Sequence, residues 1–164
     1  MDEAFSPAAW HEFFLAAVEA LSALTGLLFV ALSLHLDGVL AHVVLRRQAV
    51  LTLVGLITAI LVSGLALTPG QDVRTLGLTL IGLSVADGIF FLSGQYRRAH
   101  LGVSFNVARA IVGLVFVAGL AYTGISLLTG TGLGLRVLAA LIGLVVAWSV
   151  LNCWALVTAS GPRE

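Results

Sequence analysis

The run Ala20-Leu21-Ser22-Ala23-Leu24-Thr25-Gly26-Leu27-Leu28-Phe29-Val30-Ala31-Leu32-Ser33-Leu34 carries no charge at all. It is the middle of an apolar stretch over residues 7–36, longer than the roughly 20 residues that cross about 30 Å of hydrocarbon. Ser6 reads as the N-cap, Pro7 as the first helical residue, and Asp37-Gly38 as the stop. Four more stretches qualify, at residues 46–67, 75–95, 107–128 and 136–158. Thr68-Pro69-Gly70 ends the second, Asn106 caps the fourth, and Thr129-Gly130-Thr131-Gly132 breaks the chain before the fifth. The expectation is an all-α, polytopic membrane bundle of five transmembrane helices, with residues 1–164 as one domain.

Composition agrees. Of 164 residues 60% are hydrophobic and 10% charged, with a mean hydropathy of +1.11. A soluble domain of this size cannot hide so much apolar surface, which excludes a soluble enzyme. The formal net charge is +0 and there is no lysine, which removes the basic face that a nucleic-acid binder needs. Met1-Asp2-Glu3-Ala4 holds acids where a signal peptide carries a basic segment, so no cleavage is expected, and no lipidation motif is present. The lone cysteine, Cys153, reads as a small buried hydrophobe.

Arginine sets the expected direction. Arg46, Arg47, Arg97, Arg98, Arg109 and Arg163 fall on one side of the five spans, Arg74 and Arg136 on the other. The positive-inside rule then places the N-terminus outside and the C-terminus in the cytoplasm, in a bacterial cytoplasmic membrane crossed several times. Trp10, Phe13 and Phe14 suit an outer aromatic belt.

Ionisable groups at membrane depth each need a reason, since insertion costs about 2.5–3.5 kcal/mol apiece. Asp87 lies deep in the third span, with Ser84 one turn before it and Gly88 directly after. It reads either as a proton or cation site or as the structural partner of Arg109 in the next span. The first span carries a stripe: Glu12, Glu19, Gly26 and Ser33 recur every seven residues, with Ala16, Ala23, Val30 and Asp37 interleaved. Such a stripe faces protein or water. One reading is a helix-packing seam on Ala16, Ala23 and Gly26, within the chain or between subunits. The other is a hydrated path in a homo-oligomer, with Glu19 and Asp87 as its acids and Ser84, Thr25 and Ser33 as further polar contacts. In the fifth span, Ser149 and Asn152 share a face and suit an interhelical hydrogen bond. Ala23-Leu24-Thr25-Gly26-Leu27 echoes Ala121-Tyr122-Thr123-Gly124-Ile125, an echo that Leu/Gly/Ala-rich chains also produce by chance.

Several chemistries lack their residues. His11-Glu12-Phe13-Phe14-Leu15 opens like a zinc-protease helix without the second histidine. Gly82-Leu83-Ser84-Val85-Ala86 looks like the serine motif of rhomboid proteases, but His11, His35, His42 and His100 all fall at span boundaries or loops, so no base is in reach. Asp87 has no deep aspartate partner for aspartyl proteolysis, and no Gly-rich loop precedes a lysine. No enzyme activity, metal or cofactor is expected.

Trp10-x-x-Phe13-Phe14, the run from Ala23 to Ser33, and Pro69-Gly70-Gln71 resemble a family of small, uncharacterised multi-span membrane proteins of actinobacteria. Some of its members bear the label modulator of a membrane AAA protease, so the resemblance implies a binding role and carries no functional residues. Two functions are therefore expected to compete. One is a homo-oligomeric path for a proton or small cation. The other is a non-catalytic accessory or regulatory subunit of another membrane complex, with another membrane protein and the lipid bilayer as partners.

Overall fold

A backbone in lipid must satisfy its polar groups internally, so runs of this length and apolarity can only be helical or closed into a barrel. The computed structural model describes residues 10–34, 36–100, 107–131 and 133–159, and their side chains except those of 37, 95–100, 109 and 155–159. It is all-helical: α1 (His11–Leu34), α2 (Leu36–Ala41), α3 (Val43–Ala66), α4 (Val73–His100), α5 (Val107–Thr129) and α6 (Gly134–Ala159), with no strand among the described residues. Five of the six, all but α2, are long and apolar enough to cross a membrane.

The boundaries differ from the sequence reading in instructive places. Asp37-Gly38 does not end a helix into a loop; it lies inside α2, where Val39 is buried and the packing of that turn overrides the turn preference of Asp-Gly. His42 is extended (φ −112°, ψ 108°), and α3 starts immediately after it, a turn before Arg46. Arginine marks the edge of the hydrocarbon, whereas the helix starts where the backbone turns. For the same reason α4 continues past the third apolar run to His100. The expected caps Ser6 and Asn106 lie outside the described residues. Two turns are where the sequence places them. Gly70 (φ 71°) and Gly130 (φ 72°) adopt the left-handed conformation that glycine reaches without a Cβ clash. The Gly130 amide donates to the Ser126 carbonyl at 2.9 Å and closes the end of α5.

The contacts group the chain into two compact units, Pro69–Leu141 and Trp10–Thr68 with residues 142–159, so α6 is shared between them. In the first unit α4 and α5 pack antiparallel along small residues. A Cβ on Gly124 would lie 2.7 Å from the Gly77 carbonyl oxygen, and one on Gly77 would lie 3.0 Å from the Gly124 carbonyl. Farther along, Ser84 Oγ donates to the Val117 carbonyl at 2.8 Å. Gly88 faces Val117, and Gly113 leaves no room for a Cβ beside the Phe91 ring. Where lipid is as apolar as leucine, close backbone approach and such bonds are what hold helices together.

In the second unit α1 packs on α3, with Phe14, Ala17, Leu21 and Leu28 as its buried row. Phe14 is fully buried and makes edge contacts with the Phe13 ring, so it is core, whereas only its neighbours Trp10 and Phe13 remain partly or well exposed. On α3 the buried row is Ala49, Thr52, Leu56, Ala59, Ser63 and Ala66, a three-and-four spacing that presents one face to a neighbouring helix. Gln48 Nε2 donates to Asn152 Oδ1 at 2.7 Å and ties α3 to α6.

Candidate functional site

The residues singled out in the sequence fall into two groups. The α1 group is exposed: Glu12, Ala16, Glu19, Ala23, Gly26, Val30 and Ser33 all lie on the surface of the chain, and a Cβ on Gly26 would meet nothing within 4 Å. At about 100° per residue this stripe lies roughly 180° around the helix from the buried row of Phe14, Ala17, Leu21 and Leu28. The helix therefore gives its apolar row to α3 and turns its small and polar row outward. Thr25, half-buried at the edge of the buried row, donates to the Leu21 carbonyl, and Ser33 on the stripe donates to that of Phe29, both at 2.8 Å. These back-bonds satisfy the hydroxyl protons within α1.

Glu12 and Glu19 are both exposed and make no hydrogen bond or ion pair among the described residues. Glu12 is second in α1, and Glu19 lies deeper. It sits eight residues into α1, so at 1.5 Å per residue its Cα is about 12 Å from the start of the helix. Exposed large side chains border the stripe, Leu15 and Phe29 along one edge and Leu27 and Leu34 along the other. The result is a strip of small residues, Ala16, Ala23 and Gly26, flanked by larger side chains, with Glu12 at its start and Glu19 within it. A carboxylate turned to lipid at that depth costs about 2.5–3.5 kcal/mol on insertion scales, a cost removed by water, a base or a hydrogen-bond donor.

The second group surrounds Asp87 on α4, in the other unit from Glu19. Asp87 is half-buried and engaged by its surroundings. The expected partner, Arg109, opens α5, and its side chain lies outside the described ones. Ser84, one turn before Asp87, spends its proton on the Val117 carbonyl, so its role in the structure is to bind α5. Of the five residues expected along an ion path, three thus have hydroxyls donating to the backbone.

Two sets of residues escaped the sequence reading. The first is Gln48, the donor to Asn152; an amide at the start of an apolar run, four residues before Thr52, was the available signal. The second is the set Gly77, Gly113 and Gly124 as close-packing positions, with Gly113 and Gly124 eleven residues apart, three helical turns, on α5. Among the described residues no three His, Cys, Asp or Glu side chains converge on a point that would hold a metal.

No family model matches this chain, and no curated protein or solved structure is significantly similar to it.

Proposed function

We propose that this protein is an integral membrane subunit that works by association, binding another transmembrane helix along the outer face of α1. One observation carries the reading: the small and polar row of α1, Glu19 included, is exposed, while the apolar row is buried against the rest of the chain. A helix built for lipid alone would have the opposite arrangement. The resemblance of Trp10 to Gln71 to proteins labelled as modulators of a membrane protease points the same way. The arginine distribution supports an orientation with the N-terminus outside and the C-terminus in the cytoplasm.

A photo-reactive side chain tests this directly in native membranes. Placed at Ala23, it is expected to yield an adduct of one discrete protein mass. Placed at Leu78 on α4, which is also exposed, it is expected to yield lipid adducts. Lipid adducts alone at Ala23 would remove the reading.

A second reading keeps the same subunit as a homo-oligomer with a path for a proton or small cation past Glu19 and Asp87, supported by two acids within apolar helices. Dye-reported proton flux into proteoliposomes, driven by a potassium–valinomycin potential, tests it. Flux in the wild type that is lost in Asp87→Asn is the expected signature, and absence of flux from folded protein would end it.

A further inference from the structure

α1 and α3 are each 24 residues long, about 36 Å at about 1.5 Å per residue, which already exceeds the roughly 30 Å of a hydrocarbon layer. They pack on each other and are joined through α2, so α2 lies beyond one end of the pair, at the boundary of lipid and water. The last helix marks the same boundary. Gln48, sixth in α3, donates to Asn152 and so brings the C-terminal part of α6 to its own level, and the exposed Trp154 follows two residues later. Exposed tryptophan at the end of a span is an anchor at the headgroups.

At this end the order of polarity is the reverse of that in a simple crossing. Leu36 and Leu40 of α2 and Val43 and Val44 at the start of α3 are exposed, whereas Val39 is buried. Arg46 and Arg47 are fourth and fifth in α3, about 3–6 Å deeper than those valines at about 1.5 Å per residue. Apolar side chains thus lie outside the arginines. Helical side chains lean toward the N-terminus, so the guanidinium heads reach back toward this apolar rim. Arg46 is exposed and makes no hydrogen bond or ion pair among the described residues, and Arg47 is half-buried and held by its surroundings. His42 gives α3 no side-chain cap, so the amides of its first turn face the same level. Residues 36–48 carry Asp37 against the two arginines, a net charge of +1 with His42 neutral.

We infer that α2 and the start of α3 bind an anionic phospholipid. Its acyl chains cover Leu36, Leu40, Val43 and Val44, and its phosphate meets Arg46. The surface needs both parts. An apolar helix laid here leaves the guanidinium without a counter-charge, and a soluble anion leaves the four apolar side chains in water. A zwitterionic headgroup brings its own cation to the phosphate, whereas an anionic one leaves that charge to the protein, which sets the preference. The inference is independent of what binds α1.

The experiment keeps the full chain in dodecylmaltoside with equal amounts of phosphatidylglycerol and phosphatidylcholine of the same acyl chains, and reads the retained lipids by native mass spectrometry. Phosphatidylglycerol is expected to be retained at least about fivefold over phosphatidylcholine. Arg46→Gln removes no contact among the described residues, so the Tm is expected to stay unchanged while the preference falls about fivefold, the share of one arginine at an anionic surface. Arg136→Gln, at the other end of α6, is expected to leave the preference intact. Equal retention of the two lipids overturns the inference. So does a preference that survives Arg46→Gln combined with Arg47→Gln, or that falls as far in Arg136→Gln. Leu40→Ser is expected to weaken both lipids, and retention unchanged by it overturns the acyl-chain contact. Displacement of the lipid by glycerol 3-phosphate assigns the site to a soluble phosphate and overturns the inference as well.

Discussion

The same five-residue pattern occurs in α1 and α5, and the two helices use it in opposite ways. In α5, Thr123-Gly124 is fully enclosed, and Gly124 lets the Gly77 backbone come so close that any side chain would collide with it. In α1, Gly26 borders open space, and a Cβ there meets nothing. A small residue in an apolar helix thus marks a surface on which another backbone can lie, but not whether that backbone belongs to the same chain. The packed pair also shows what a partner for α1 would look like: an approach along small residues, supplemented by a hydrogen bond such as that from Ser84 to Val117.

The contrast is open to breaking by mutation. Gly124→Leu is expected to have the largest effect, since the added side chain meets the Gly77 backbone and Ile81 rather than a side-chain end that can swing away. Overpacking of this kind costs about 1–3 kcal/mol or more, and thermal unfolding in detergent should show a large fall in Tm. Gly26→Leu, the matched change in α1, is expected not to lower the Tm of the isolated chain and to raise it slightly through helix propensity. A comparable fall in both would mean that the two patterns are alike after all.

The polar tie in the other unit comes next. Gln48→Leu strands a buried Asn152 amide and should cost about 1–3 kcal/mol. Gln48→Leu combined with Asn152→Leu should recover part of the loss. A double-mutant cycle, read from detergent or denaturant unfolding, is expected to give a coupling near 0.6 kcal/mol and not above about 1.7. A coupling of zero would mean that the 2.7 Å bond contributes nothing to holding α3 against α6.

Ser84→Ala should be smaller, about 0.6 kcal/mol, because Val117 keeps its helical hydrogen bond and loses only the second donor. Its value sharpens the comparison by separating the hydrogen-bonded part of the α4–α5 seam from the part due to close backbone approach. Gly26→Ala is expected not to destabilise at all, with a gain of up to about 1 kcal/mol from helix propensity alone, since nothing nearby resists the methyl group. A loss instead, in the isolated chain, would show that α1 already has a neighbour on that face.

The residues separate into those whose place could be read in sequence and those whose place could not. Five apolar runs longer than a bilayer is thick, interrupted at Thr68-Pro69-Gly70 and Thr129-Gly130, determine an all-helical chain and its main breaks, because a lipid-soluble backbone has few other ways to satisfy itself. Asn152 was legible as a hydrogen-bonding residue for a similar reason: an amide in an apolar helix needs a partner. Its partner was not, since Gln48 lies 104 residues away and nothing local connects them.

The stripe on α1 was legible as a row of seven-residue spacing, and the glycine pairs on α4 and α5 recur eleven residues apart, three helical turns. Which of them is buried within the chain is a tertiary matter. Helix periodicity places residues on a face, but the direction of that face depends on which neighbour packs best against the opposite one. In α1 the row Phe14, Ala17, Leu21 and Leu28 packs against α3, and the geometry of one helix then turns Glu19 outward. Sequence alone determined the helices and their polar rows, because those depend on local composition and the lipid solvent; only tertiary packing decided which rows were closed and which left open, because that choice depends on the shapes of residues far apart in the chain.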